Sequence, residues 1–150
     1  MTDTDVRFEL LDVHLESESF GRVAVPLDGG LSDVPFALPE GALFTVSITF
    51  RLTADVDGLV YVDAREFGDC SFPAVSTPLG SFRSGGPYEV VLPPEKLPAG
   101  RQTHGMYTVT GTFLDGTGEP LAHEAFRFRL THHERPVARP VGRAGTGAPA

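Results

Sequence analysis

The side chains able to do chemistry are few, and their spacing is poor for it. Five histidines, one cysteine and twenty carboxylates are available. His132 and His133 are adjacent on a strand-like segment. Neighbours on a strand point to opposite faces, so this pair cannot chelate one ion without a local break. His14, His104 and His123 fall near the expected strand ends with no ligand spacing between them, which reads as surface or hydrogen-bonded histidine. Cys70 is the only cysteine and cannot form an internal disulfide. It also lacks the neighbouring base or helix N-terminus that thiolate chemistry needs. No phosphate-cradling glycine loop, GxSxG elbow, HExxH pair or paired CxxC occurs. Two carboxylates meeting across a sheet would suit glycoside hydrolysis. However, no Asp or Glu is expected at an inward position of the strongest strands, where burial would raise its pKa. The expectation is a protein that is not an enzyme and uses no cofactor and no metal.

The elements that must position these residues are strands. Phe44, Val46, Ile48, Phe50 and Leu52 alternate with Thr45, Ser47, Thr49 and Arg51, the period of a strand with one face in a core and one in water. Tyr107, Val109, Gly111 and Phe113 repeat the pattern against threonines, and Phe126, Phe128 and Leu130 repeat it against Arg127, Arg129 and Thr131. Weaker strands are expected at 6–15, 22–27, 58–66, 79–83 and 87–92, with hairpin turns at 55–58 and 115–118. Segment 93–100 (PPEKLPAG) reads as a Pro-bounded connector with room for one helical turn at most. About eight short antiparallel strands without helices predict an all-β sandwich or barrel. The domain is expected over 1–134. Residues 135–150 are rich in Pro, Gly, Ala and Arg without an apolar period, and are expected to be a disordered tail.

Charge and composition narrow the partners. With 41% hydrophobic residues, the chain has the material for one core. A net charge of −8 disfavours nucleic acid, which demands a basic footprint. No apolar run is long enough to insert into a bilayer. The acidic start MTDTDVRFELL does not read as a secretory signal, so a cytoplasmic monomer is expected. The front of the chain carries nine acids through Glu40 against Arg7 and Arg22. Asp12, Glu16, Glu18 and Asp115 form a candidate docking face for a basic partner, set against the plainer reading of a solvated face.

The expected inward set is aromatic: Phe8, Phe36, Phe44, Phe50, Tyr107, Phe113, Phe126 and Phe128. Gly111 and Ala64 are placed inward with them. Rings opposite missing side chains are either interlocked packing or a cavity between the sheets that an apolar chain could fill.

The order of several short motifs resembles the Rho GDP-dissociation inhibitor family. PFALPEGALFTVSITFRL (35–52) is similar to the family's Phe-x-Leu-x-Glu-Gly lead into a long strand. DGLVY (57–61), LGSF (79–82), PYEVVLPPEKLPAG (87–100), GMYTVTGTFLD (105–115) and FRFRL (126–130) follow in the family's order. The resemblance implies an immunoglobulin-like β-sandwich whose sheets part for the prenyl tail of a small GTPase. Implied partners are therefore a prenylated GTPase, another lipidated protein or a lipid chain. By position it assigns the pocket to Phe36, Phe44, Val109, Gly111 and Phe128, with Phe8 and Leu10 beside them. Three departures stand out. The first strand is expected from about Val6, leaving no regulatory arm of the kind that clamps the GTPase. Phe126 and Phe128 replace two tryptophans, and Thr77 stands where the family has a pocket tyrosine.

Overall fold

A computed structural model describes residues 7–26 and 36–132. Segment 135–150 and His133 lie outside the described residues. The chain forms strands β1 (Phe8–Ser17), β2 (Gly21–Ala24), β3 (Phe36–Pro39), β4 (Leu43–Leu52), β5 (Val56–Phe67), β6 (Cys70–Ser71), β7 (Val75–Phe82), β8 (Gly85–Val91), β9 (Glu95–Lys96), β10 (Gly105–Leu114) and β11 (Pro120–Thr131). One 3-10 turn spans Arg101–Thr103. One sheet runs β2-β1-β4-β8, with β9 also on β4. The other runs β3-β11-β10-β5-β6, with β7 also on β5. Pairing is antiparallel except where β3 lies parallel to β11.

The two sheets meet through the aromatic residues that alternation points inward. Phe8 of β1 stacks on Phe113 of β10 at 4.7 Å and on Phe50 of β4 at 5.0 Å. Phe50, Phe113, Ile48, Val13, Leu59 and Leu38 are almost wholly removed from water. A register shift between Leu10 and Asp12 explains why the inward parity of β1 changes from Phe8 to Val13 and Leu15. An extra residue on one strand of an antiparallel pair moves every later side chain to the other face.

Three expectations need correction. His14 is buried within β1 and not at the surface, though it is hydrogen-bonded as expected, with Nδ1 2.9 Å from Asp12 Oδ2 and reached by Arg22 at 3.3 Å. Ala64 does not point inward. Its strand presents Leu59, Tyr61, Asp63 and Arg65 to the interior instead, a phase fixed by the pairing Gly111↔Asp63 and Phe113↔Tyr61 with β10. Finally, β11 begins at Pro120 rather than near Phe126, and its alternation carries Glu124 inward, where it is only 7% exposed. A carboxylate therefore does sit at an inward position of a strong strand.

Candidate functional site

The inner face of the six-stranded sheet can be read row by row from its registers. The first row is Phe36, Phe128, Tyr107 and Phe67, the next Phe126, Val109 and Arg65, and the next Glu124, Gly111 and Asp63. In the first row the rings form a ladder. Tyr107 stacks on Phe128 at 5.0 Å and on Phe67 at 4.5 Å. Offset stacking of this kind favours flat, rigid apolar walls.

Where the sheets separate, this wall faces a cleft of about 550 Å³. Its sides are Tyr61, Asp63 and Arg65 of β5, Thr77 and Val75 of β7, the Leu92–Lys96 segment, and Phe72 and Pro73. Phe72 and Val75, 45% and 61% exposed, stand at its lip. The Pro-bounded stretch after β8 supplies one wall because Pro93 and Pro94 cannot extend the strand ladder. Deeper between the sheets lies a slot of only about 20 Å³, lined by Leu15, Leu38, Phe44, Val109, Glu124 and Phe126 among others. Tyr61, Asp63, Arg65 and Phe128 border both spaces.

Charged groups stand at that shared border. Arg65 donates from Nε to Asp63 Oδ1 at 3.1 Å and from Nη2 to Asp63 Oδ2 at 2.9 Å. The same guanidinium reaches across to the other sheet, where Nη2 donates to Glu95 Oε1 at 2.7 Å and Nη1 to Glu95 Oε2. Burial works against the charge of Arg65, but the bonds to Asp63 and Glu95 outweigh it and hold the guanidinium protonated. Behind this bridge, Tyr61 donates its hydroxyl to Glu124 Oε2 at 3.1 Å. Burial, with help from the negative charge of Asp63, raises the Glu124 carboxyl from 4.5 to about 7 against the lowering effect of the Tyr61 bond. Burial also pushes the Tyr61 phenol well above its ordinary value. Gly111 makes this arrangement possible. A Cβ there would lie 2.5 Å from the Tyr61 hydroxyl and 2.7 Å from its ring.

Of the residues expected in the pocket, Phe44, Val109 and Phe128 come together around the slot, and Phe128 also walls the cleft. Phe8 packs elsewhere in the core, against Phe50 and Phe113. Leu10 and Phe36 are half-buried, with Phe36 stacked on Phe126 at 5.7 Å. The space over Gly111 is filled by Tyr61. Tyr61, Asp63, Arg65, Glu95, Tyr107 and Glu124 are the site residues that sequence reasoning missed as such. The available signal was period two, continued from Tyr61 to 63 and 65 and from Phe126 back to 124.

The acidic candidates do not form one face. Glu16 and Glu18 flank the β1–β2 turn beside Arg22. Asp115 instead pairs with Arg7 at the opposite end of β1, and the ends of a strand of that length lie roughly 30 Å apart. There it works locally, accepting bonds from the Thr117 and Glu119 amides at 2.9 and 3.0 Å and from the Thr117 hydroxyl at 2.6 Å. These bonds hold its carboxyl well below the usual range. The histidines also meet a partner: Glu40 lies 3.1 Å from His104 and 3.3 Å from His132.

Two sheets with an edge cleft and a narrow slot behind it define an all-β, immunoglobulin-like sandwich. A family model described as RHO protein GDP dissociation inhibitor matches residues 1–133. The chain belongs to that family, which is one of regulatory inhibitors of Rho GTPases and not an enzyme family. Among solved structures, the crystal structure of the C-terminal domain of wzt superposes with a TM-score of 0.58 and 15% identity, covering 85% of this chain and 75% of that one. That is a likeness of fold. No match is found among curated proteins. Among the described residues, no helix is long and apolar enough to cross a membrane.

Proposed function

We propose that this protein shelters the lipid chain of a client, a prenylated small GTPase or another lipidated protein, in the cleft between its sheets, and that it does so in the cytoplasm as a monomer. The supporting observation is the cleft itself. Its volume of about 550 Å³ falls within the roughly 300–1,000 Å³ of sites that enclose small molecules. The Tyr107–Phe128 wall, Leu92 and the exposed Phe72 and Val75 supply apolar contact. Each methylene moved from water into it contributes about 0.8 kcal/mol. No bond is made or broken, so the charged border needs no catalytic role.

The test is titration with a prenyl-cysteine, followed by native mass spectrometry and tyrosine fluorescence. Wild type should form a stoichiometric complex, and Thr77→Trp, which fills the cleft from β7, should weaken it at least tenfold. The narrowness of the inner slot favours a second reading, a closed-core interaction module without a lipid. That reading gains if wild type binds no prenyl-cysteine while a salt-sensitive partner is lost on neutralising Asp12, Glu16 and Glu18.

A further inference from the structure

The deep end of the site is not the greasy floor that a plain hydrocarbon tail would favour. Four polar side chains stand there: Tyr61, Asp63, Arg65 and Glu124. Three have their needs met within the group and by Glu95. Glu124 does not. Oε2 accepts from Tyr61, whereas Oε1 is buried and no other protein atom donates to it. A buried acceptor in that state costs stability unless something donates to it. The carboxyl borders a slot of about 20 Å³, and roughly 10–15 Å³ suffices for one water-sized group. The slot thus has room for one polar non-hydrogen atom and not for a run of methylenes. It also shares Tyr61, Asp63, Arg65 and Phe128 with the cleft that would hold the rest of a chain.

We propose that Glu124 reads the tip of the bound chain, selecting an apolar chain that ends in a single hydrogen-bond donor, a hydroxyl or an ammonium. This rests on the chain-binding role of the cleft and adds the chemical class of its ligand. The body of the chain lies against Tyr107 and Phe128. Its terminal group passes the Arg65 border and donates to Glu124 Oε1, completing the set of bonds that Tyr61 begins. A purely hydrocarbon tip leaves that oxygen unpaired.

The test compares laurate, ω-hydroxylaurate and ω-fluorolaurate by calorimetric titration of the full chain at about pH 8, above the value of about 7 to which burial raises Glu124. Fluorine matches the hydroxyl closely in size but cannot donate. The hydroxyl tip should bind wild type about tenfold tighter than the fluoro tip, the ratio expected of one net hydrogen bond. In Glu124→Leu the two should bind equally. Should that variant fail to fold, the carboxyl carbon resonance of Glu124 in wild type provides the second readout, moving with ω-hydroxylaurate and not with ω-fluorolaurate. Equal binding of all three chains to wild type, or a hydroxyl preference that survives in Glu124→Leu, overturns the tip-reading role alone. Failure of every chain and of prenyl-cysteine to bind overturns the chain-binding role with it.

Discussion

Replacing Gly111 by alanine should destabilise the protein, although alanine normally suits a strand better than glycine. The added Cβ would lie 2.5 Å from the Tyr61 hydroxyl, 2.7 Å from Cε1 and 2.9 Å from Cζ. The ring has little freedom to retreat. It is 3% exposed, tilts against Phe113 at 4.9 Å and is tied to Glu124 at its far end. Overpacking of a tight core costs about 1–3 kcal/mol. Breaking the Tyr61–Glu124 bond adds about 1–3 kcal/mol, because a buried carboxyl loses its donor. Against this, alanine gains about 0.5–1 kcal/mol through lower chain entropy. The net expectation is a loss of about 3 kcal/mol, or roughly 9 °C in Tm for a domain of this size. Urea and thermal unfolding would measure it. A double-mutant cycle isolates the cause: in a Tyr61→Leu background, most of the cost of Gly111→Ala should disappear, a coupling of about 2–3 kcal/mol. If Gly111→Ala is neutral or stabilising, or costs as much without the Tyr61 ring, the space over Gly111 is not filled as described.

Stability should also respond to pH through Glu124. Between its ordinary 4.5 and the raised value of about 7, the unfolded chain has lost a proton that the folded one keeps. Stability therefore falls as pH rises through that window, by up to about 3 kcal/mol, and Glu124→Gln should flatten the dependence in urea titrations at its two ends. Asp115→Ala should abolish amide exchange protection at Thr117 and Glu119, while Glu16→Ala, at the other end of β1, leaves it intact. Glu95→Gln removes the charge from the cross-sheet half of the Arg65 bridge but leaves Asp63 in place. Because Glu95 is 43% exposed, the cost should be only about 1 kcal/mol. Stopped-flow mixing should show faster binding of ω-hydroxylaurate, whose tip must pass that border, and an unchanged rate would mean that the bridge does not bar the way to Glu124.

Period-two alternation made the sandwich legible, because β4 and β10 each have one apolar and one polar face, and only one phase suits such strands. In β5 both phases are plausible. Val60, Val62 and Ala64 compete with Leu59 and Tyr61, and the apolar reading placed Ala64 inward. Pairing with β10 decides otherwise and turns Asp63 and Arg65 toward the interior. That outcome is tolerable because Asp63 beside it and Glu95, thirty positions away in sequence, both pair with Arg65. Desolvating Arg65 without partners would cost several kcal/mol. Glu124 was hidden for the same reason. A carboxylate two residues before Phe126 looks like the end of a strand until Gly111 opposite it is seen to clear a path for Tyr61. In each case the burial of a charged group depends on a distant partner, which local periodicity does not contain. Phe44, Val109 and Phe128 were legible because apolar burial needs no such partner. It follows that alternation alone placed Phe44, Val109 and Phe128 inward, while the charged groups beside them came only with the register. Selectivity for the end of a chain, if carried by Glu124, can therefore differ between family members whose apolar pocket residues align.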